Sequence, residues 1–159
     1  MNRLITLALL LMSATAQAQQ PLPEYGPEIT VEQAKKVVAA AEAEAKKQKW
    51  PVAITIVDTH GDLVMFEKLD QTQYGSIEIS MEKAKTAAHF RKPSKAFEDQ
   101  ITQGGQYLRL TRHPAIPIEG GVPIFVDGKV IGAIGVSGVK SNEDGIVAQA
   151  GADALKSSK

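Results

Sequence analysis

Val122-Pro123-Ile124-Phe125-Val126-Asp127-Gly128-Lys129-Val130-Ile131-Gly132-Ala133-Ile134-Gly135-Val136-Ser137 decides how this chain folds. Two β-branched runs flank Asp127-Gly128, and an Asp-Gly pair between such runs is a strong short-range hairpin signal. Upstream, Val52 to Val57 is a short apolar run, Asp58-Thr59-His60-Gly61-Asp62 is turn chemistry, and Leu63 to Leu69 returns as a second strand. Helical patterns surround both hairpins. Thr30-Val31-Glu32-Gln33 is a capping box that opens a helix with Ala34, Val37, Val38, Ala41 and Ala45 on one stripe, and Pro51 ends it. Ser76 caps a helix to about Phe90 with Ile77, Met81, Ala84, Ala88 and, at its end, Phe90 toward the core. Pro93 breaks that helix, and Ser94 starts a short one to about Thr102. Gln103 to Gly121 reads as a long irregular segment, of a length that is usually either functional or disordered. Ser141-Asn142-Glu143-Asp144 opens a last helix carrying Ile146, Val147, Ala150 and Leu155.

Two hairpins cannot make the parallel crossovers of a doubly wound fold. The expected class is α+β, an antiparallel sheet of two hairpins covered by helices in three α/β/α layers.

Composition bounds the rest. The chain has 159 residues, 18 basic and 18 acidic side chains and no cysteine. Zero net charge gives no footprint for nucleic acid. Without cysteine there is no disulfide, thiolate nucleophile, zinc finger or covalent c-type haem. Met1-Asn2-Arg3, the apolar run Leu4 to Met12 and Ala16-Gln17-Ala18 read as a Sec-type signal peptide over residues 1–18, cleaved after Ala18. The apolar run is too short for a membrane anchor. The expected organisation is a signal peptide over 1–18, an extended proline-rich leader over 19–28 and one domain over 29–159, periplasmic or secreted.

Few residues carry chemistry. The glycines of Gly132-Ala133-Ile134-Gly135-Val136-Ser137-Gly138 lie inside a strand, so this is no dinucleotide fingerprint. Strand glycines mark close backbone packing or ligand contact, and both readings stay open for Gly135 and Gly138. Gly120-Gly121 is similarly a turn or a ligand-hugging loop. His60, His89 and His113 form no zinc spacing, but one histidine suffices as an axial ligand to haem iron. His60 sits in a turn, where a solvated side chain is the ordinary state. His89 and His113 are the candidate iron ligands. Arg91, Lys92, Arg109 and Arg112 lie beside them and could receive an anionic group, although a solvated basic face explains them too. Glu78 and Glu82 are spaced for a metal, with ion pairing to Lys83 or Lys85 the competing reading. No Ser/His/Asp set can be assembled.

Ile118-Glu119-Gly120-Gly121-Val122-Pro123-Ile124-Phe125-Val126-Asp127-Gly128 and the strand that follows to Gly138 closely resemble the signature of the GlcG/HbpS family. Ile29 to Ala34, Val52 to Asp58, Lys83 to Ala88 and Ala148 to Gly151 add to the resemblance, which spans nearly the whole chain after residue 28. It implies a profilin- or PAS-like sandwich, a homo-oligomer, and haem or another tetrapyrrole bound in some members. His60 and His89 depart from the family pattern as it is expected at those positions. The leading expectation is a haem-binding protein whose ligand-binding residues come from His89, Arg91, Lys92, Arg109, Arg112, His113, Gly120, Gly121, Gly135 and Gly138. The alternatives are an enzyme using the same pocket for haem degradation or a small organic acid, and a structural or signalling partner protein.

Overall fold

A computed structural model describes residues 21–156. The expected signal peptide, residues 1–18, lies outside them. Among the described residues no helix is long and apolar enough to cross a membrane.

Four strands, β1 (Ala53–Val57), β2 (Leu63–Lys68), β3 (Gly121–Val126) and β4 (Lys129–Ser137), form one antiparallel sheet in the order β2-β1-β4-β3. Each hairpin pairs internally, and β1 joins β4 with Ala53 opposite Ser137 and Val57 opposite Ala133. The β3–β4 turn has positive φ at Asp127 (49°) and Gly128 (76°), the backbone a two-residue hairpin turn of matching twist demands.

Side-chain alternation divides the sheet. Ile54, Ile56, Val122, Ile124, Ile134 and Val136 face α1 (Val31–Gln48) and α4 (Ser141–Asp153), whose Val37, Ala41, Val147 and Ala148 complete the main core. Thr55, Val57, Ala133 and Gly135 face α2 (Ser76–Phe90) on the other side. The three α/β/α layers expected from the hairpins are present.

The α1 capping box forms as expected. The Gln33 N–H donates to Thr30 Oγ1 at 3.2 Å, and the Thr30 N–H donates to Gln33 Oε1 at 2.9 Å. Three local expectations change. Gly75, not Ser76, caps α2, and Ser76 is buried as its first residue. The inward face of α2 carries Ser80, Lys83 and Thr86 beside its alanines, while Ile77 and Met81 are only half-buried. Ile146 is 49% exposed, because α4 turns Asp144, Val147, Ala148 and Gly151 inward and leaves 146 on the opposite face.

The long segment after α3 (Lys95–Thr102) is more ordered than its sequence predicts, since Gly105–Arg112 winds as a three-ten helix. Its downstream end is tied to the body. Ser94 Oγ donates to Ile118 O at 2.6 Å and accepts the Gly121 N–H at 2.9 Å, and Thr86 Oγ1 accepts the Ile116 N–H at 2.9 Å. The described part of the segment before α1 docks on β4. The Gly26 N–H donates to Val130 O and the Val130 N–H donates to Glu24 O, at 2.8 and 2.9 Å.

Candidate functional site

The expected ligand-binding residues fall into three places. Gly120, Gly121 and Gly135 lie under α2. A Cβ at Gly121 or Gly135 would strike the Lys83 or Ser80 carbonyl, and at Gly120 it would lie 2.6 Å from Val136 O. Gly138 presses in the same way on the Pro51 carbonyl. The space beside all four is filled by the chain's own backbone, so close packing accounts for these glycines within this chain.

His89 and Arg91 close the end of α2. His89 Nε2 lies 2.7 Å from His60 O and packs against Gly61, which clamps the first hairpin turn to the helix. Arg91 stacks over the Tyr25 ring at 4.9 Å and donates to Pro23 O at 3.0 Å, while the Tyr25 hydroxyl donates to Ala88 O at 2.9 Å. Both candidates are therefore engaged in holding the leader and the turn. Beside them Tyr25, Gly26, Pro27, Glu28, Thr59, His60 and His89 line a cleft of about 690 Å³.

His113 and Lys92 meet elsewhere. The His113 ring lies 4.9 Å from Phe90 and 6.0 Å from Phe97, and the two phenylalanines meet edge to face at 5.1 Å. Lys92 Nζ sits 4.0 Å from the Phe97 centroid, a cation held on an aromatic face. Among the described residues no group hydrogen-bonds the His113 ring, which is exposed. Arg109 and Arg112 are exposed on the three-ten helix. With three residues per turn, positions 109 and 112 share one edge, and His113 follows directly. The structure thus joins His113, Lys92 and the two aromatics in one patch, with Arg109 and Arg112 on the adjoining element. It leaves His89 apart from that patch, engaged at the hairpin turn.

Sequence reading missed the aromatic members of this patch, Phe90 and Phe97, because they stand 23 and 16 residues before His113. It also weighed Lys83, with Lys85, only as a neighbouring ion-pair partner for Glu78 or Glu82. Lys83 is in fact buried against Asp144, and burial holds the Asp144 carboxyl above its ordinary value despite the opposing Lys83 charge. Glu82 pairs with Lys85 at 3.3 Å, the ion-pairing outcome weighed above.

The protein is thus an antiparallel α/β/α sandwich in which the exposed His113 is backed by Phe90 and Phe97 with cations alongside. A family model described as "Haem degrading protein HbpS-like" matches residues 29–153, and the chain belongs to this HbpS-like family. It is 37% identical over 109 residues to Protein GlcG of Escherichia coli strain K12, spanning 69% of this chain and 81% of GlcG. Its fold is similar to the crystal structure of HbpS, with a TM-score of 0.74 at 27% identity over 83% of this chain and 93% of HbpS. It is likewise similar to a crystal structure of a PduOC–haem complex, with a TM-score of 0.73 at 24% identity over 81% and 96% of the two chains.

Proposed function

We propose that this protein binds haem, or a related tetrapyrrole, non-covalently at the Phe90–Phe97–His113 patch. The observation that carries the reading is the His113 imidazole, which lies on two aromatic rings with its nitrogens uncommitted. A porphyrin brings four nitrogens to its iron and needs one further donor from the protein, and an imidazole is a common choice. The half-buried Phe90 and the buried Phe97 back the exposed His113 ring from within, and Lys92, Arg109 and Arg112 offer cations to two propionates. The donor set fits the group. Bound haem would supply iron chemistry, and this chain's own residues would seat and orient it. Family membership and the haem complex of a fold relative support the same ligand.

The patch is open in a single chain, so we place the ligand in a homo-oligomer whose second copy closes it. Residues 1–18 direct this protein to the periplasm or beyond in the same reading. A second reading, haem degradation at this patch, is favoured by the description of the family.

Titrating the purified protein with haemin tests the proposal. A saturable Soret shift that is lost or displaced in His113→Ala and kept in His89→Ala is expected. A flat titration, or one unchanged by His113→Ala, overturns the site.

A further inference from the structure

Outside that patch, one further group of side chains has the chemistry of a ligand site. Glu28, Asp58 and His60 each turn a donor atom toward a common point, and the three atoms lie within 4.8 Å of one another. They come from two segments, the leader and the first hairpin turn, and Glu28 and His60 also line the 690 Å³ cleft. His60 Nδ1 is 3.1 Å from Glu28 Oε1.

The backbone beneath them is fixed. Asp58 Oδ1 accepts the N–H groups of His60 and Asp62 at 2.8 and 3.0 Å, which sets the carboxylate's orientation and engages one of its two oxygens. His60 is anchored through its carbonyl by His89, so its ring is the part free to turn. The Ile29 N–H donates to Ile131 O at 2.8 Å, which fixes the leader next to Glu28.

We propose that Glu28, Asp58 and His60 form a binding site for a borderline transition-metal dication of the zinc class. One imidazole and two carboxylates are a donor set such ions accept, whereas calcium and magnesium call for oxygen donors alone. Tetrahedral ligation at zinc distances sets donors about 3.4 Å apart, so the observed group closes on an ion by rotating two exposed side chains. Three protein donors leave a fourth position open toward the cleft, where water or a small anionic ligand could complete the shell. The two negative charges balance the ion's charge. This site shares no residue with the His113 patch, so the two proposals fail separately.

The test uses untagged, full-chain protein stripped of metal and titrated with Zn²⁺ against a chromophoric chelator. One Zn²⁺ per chain is expected, with affinity reduced at least about tenfold in both His60→Ala and Glu28→Gln, and unchanged in His113→Ala. His60→Ala keeps the carbonyl that His89 engages, so the turn is retained, and an unaltered circular dichroism spectrum verifies it. A second readout is the thermal midpoint, which Zn²⁺ should raise in the native protein and not in His60→Ala. No saturable binding, or binding that survives both substitutions, or binding lost in His113→Ala, would overturn the proposal.

Discussion

Lys83 Nζ lies 2.8 Å from Asp144 Oδ2 and 3.0 Å from Val136 O, and the Lys83 and Asp144 side chains are 1% and 3% exposed. Val136 donates its own N–H to Gly120 O at 2.8 Å. The Lys83 ammonium therefore takes the carbonyl that β3 would bond if it ran further, and it continues the sheet's ladder with a side chain. From there it reaches Asp144 on α4, a helix of the opposite layer. Gly120, with φ of 127°, leaves the room. A Cβ there would come within 2.8 Å of Nζ.

Removing one partner of this pair leaves a buried charge alone. Lys83→Met is expected to lower the unfolding free energy by about 3–5 kcal/mol, and Asp144→Asn in the same chain should recover part of it. Urea denaturation of the two single variants and the double variant measures the coupling.

Gly135 tests the close approach of α2. Gly135→Ala forces a methyl group into the Ser80 carbonyl and the Ala84 amide, both backbone, which cannot swing aside. A loss of about 1–3 kcal/mol is expected by thermal or chemical unfolding, against little change for Gly128→Asn in the β3–β4 turn.

Glu67 lies next to Glu42, and burial followed by the Glu42 charge holds its carboxyl above 4.5, while a hydrogen bond from Lys46 pulls Glu42 down. A raised folded-state value means that the folded chain holds the proton more tightly than the unfolded one. The Glu67 contribution is fully present below pH 4.5 and fades as pH rises through the raised value. Glu67→Gln removes that loss, so its urea midpoint should gain on the native protein's as pH is taken from 4 to 7.

Arg109 and Arg112 carry the electrostatic half of the proposed haem site. Reversing both to glutamate should weaken haemin binding about tenfold or more and reduce its sensitivity to added salt, while the folded-state circular dichroism stays unchanged. Haemin titrations at two ionic strengths read both effects. Adding reductant and oxygen to the loaded protein then separates binding from turnover. A stable Soret band marks a binding protein, and bleaching marks degradation.

The hairpins were legible because their signals are local. Asp127-Gly128 names its own turn, and the Thr30–Gln33 box needs only four residues. The phase of α4 misled at Ile146 because two glycines and an aspartate, not large apolar residues, occupy much of its inward face. Lys83 was illegible because its partner stands 61 residues away, and nearer glutamates offered a plausible ion pair. The His113 patch was half legible. Its cations cluster in sequence, but the aromatic floor is assembled by the break at Pro93, which turns α3 back so that Phe97 meets Phe90.

The docked leader is held along its length by several separate ties. Glu24, Gly26 and Ile29 are stitched to β4 by backbone bonds, and Tyr25 with Arg91 fastens the strip to the end of α2. A protease cut between Glu28 and Ile29 would leave every helix and strand intact, yet it would remove the Tyr25–Glu28 wall of the cleft and with it one side of the Glu28–Asp58–His60 group. Trimming at that point is therefore expected to abolish binding at the proposed Glu28–Asp58–His60 site and spare the proposed His113 patch.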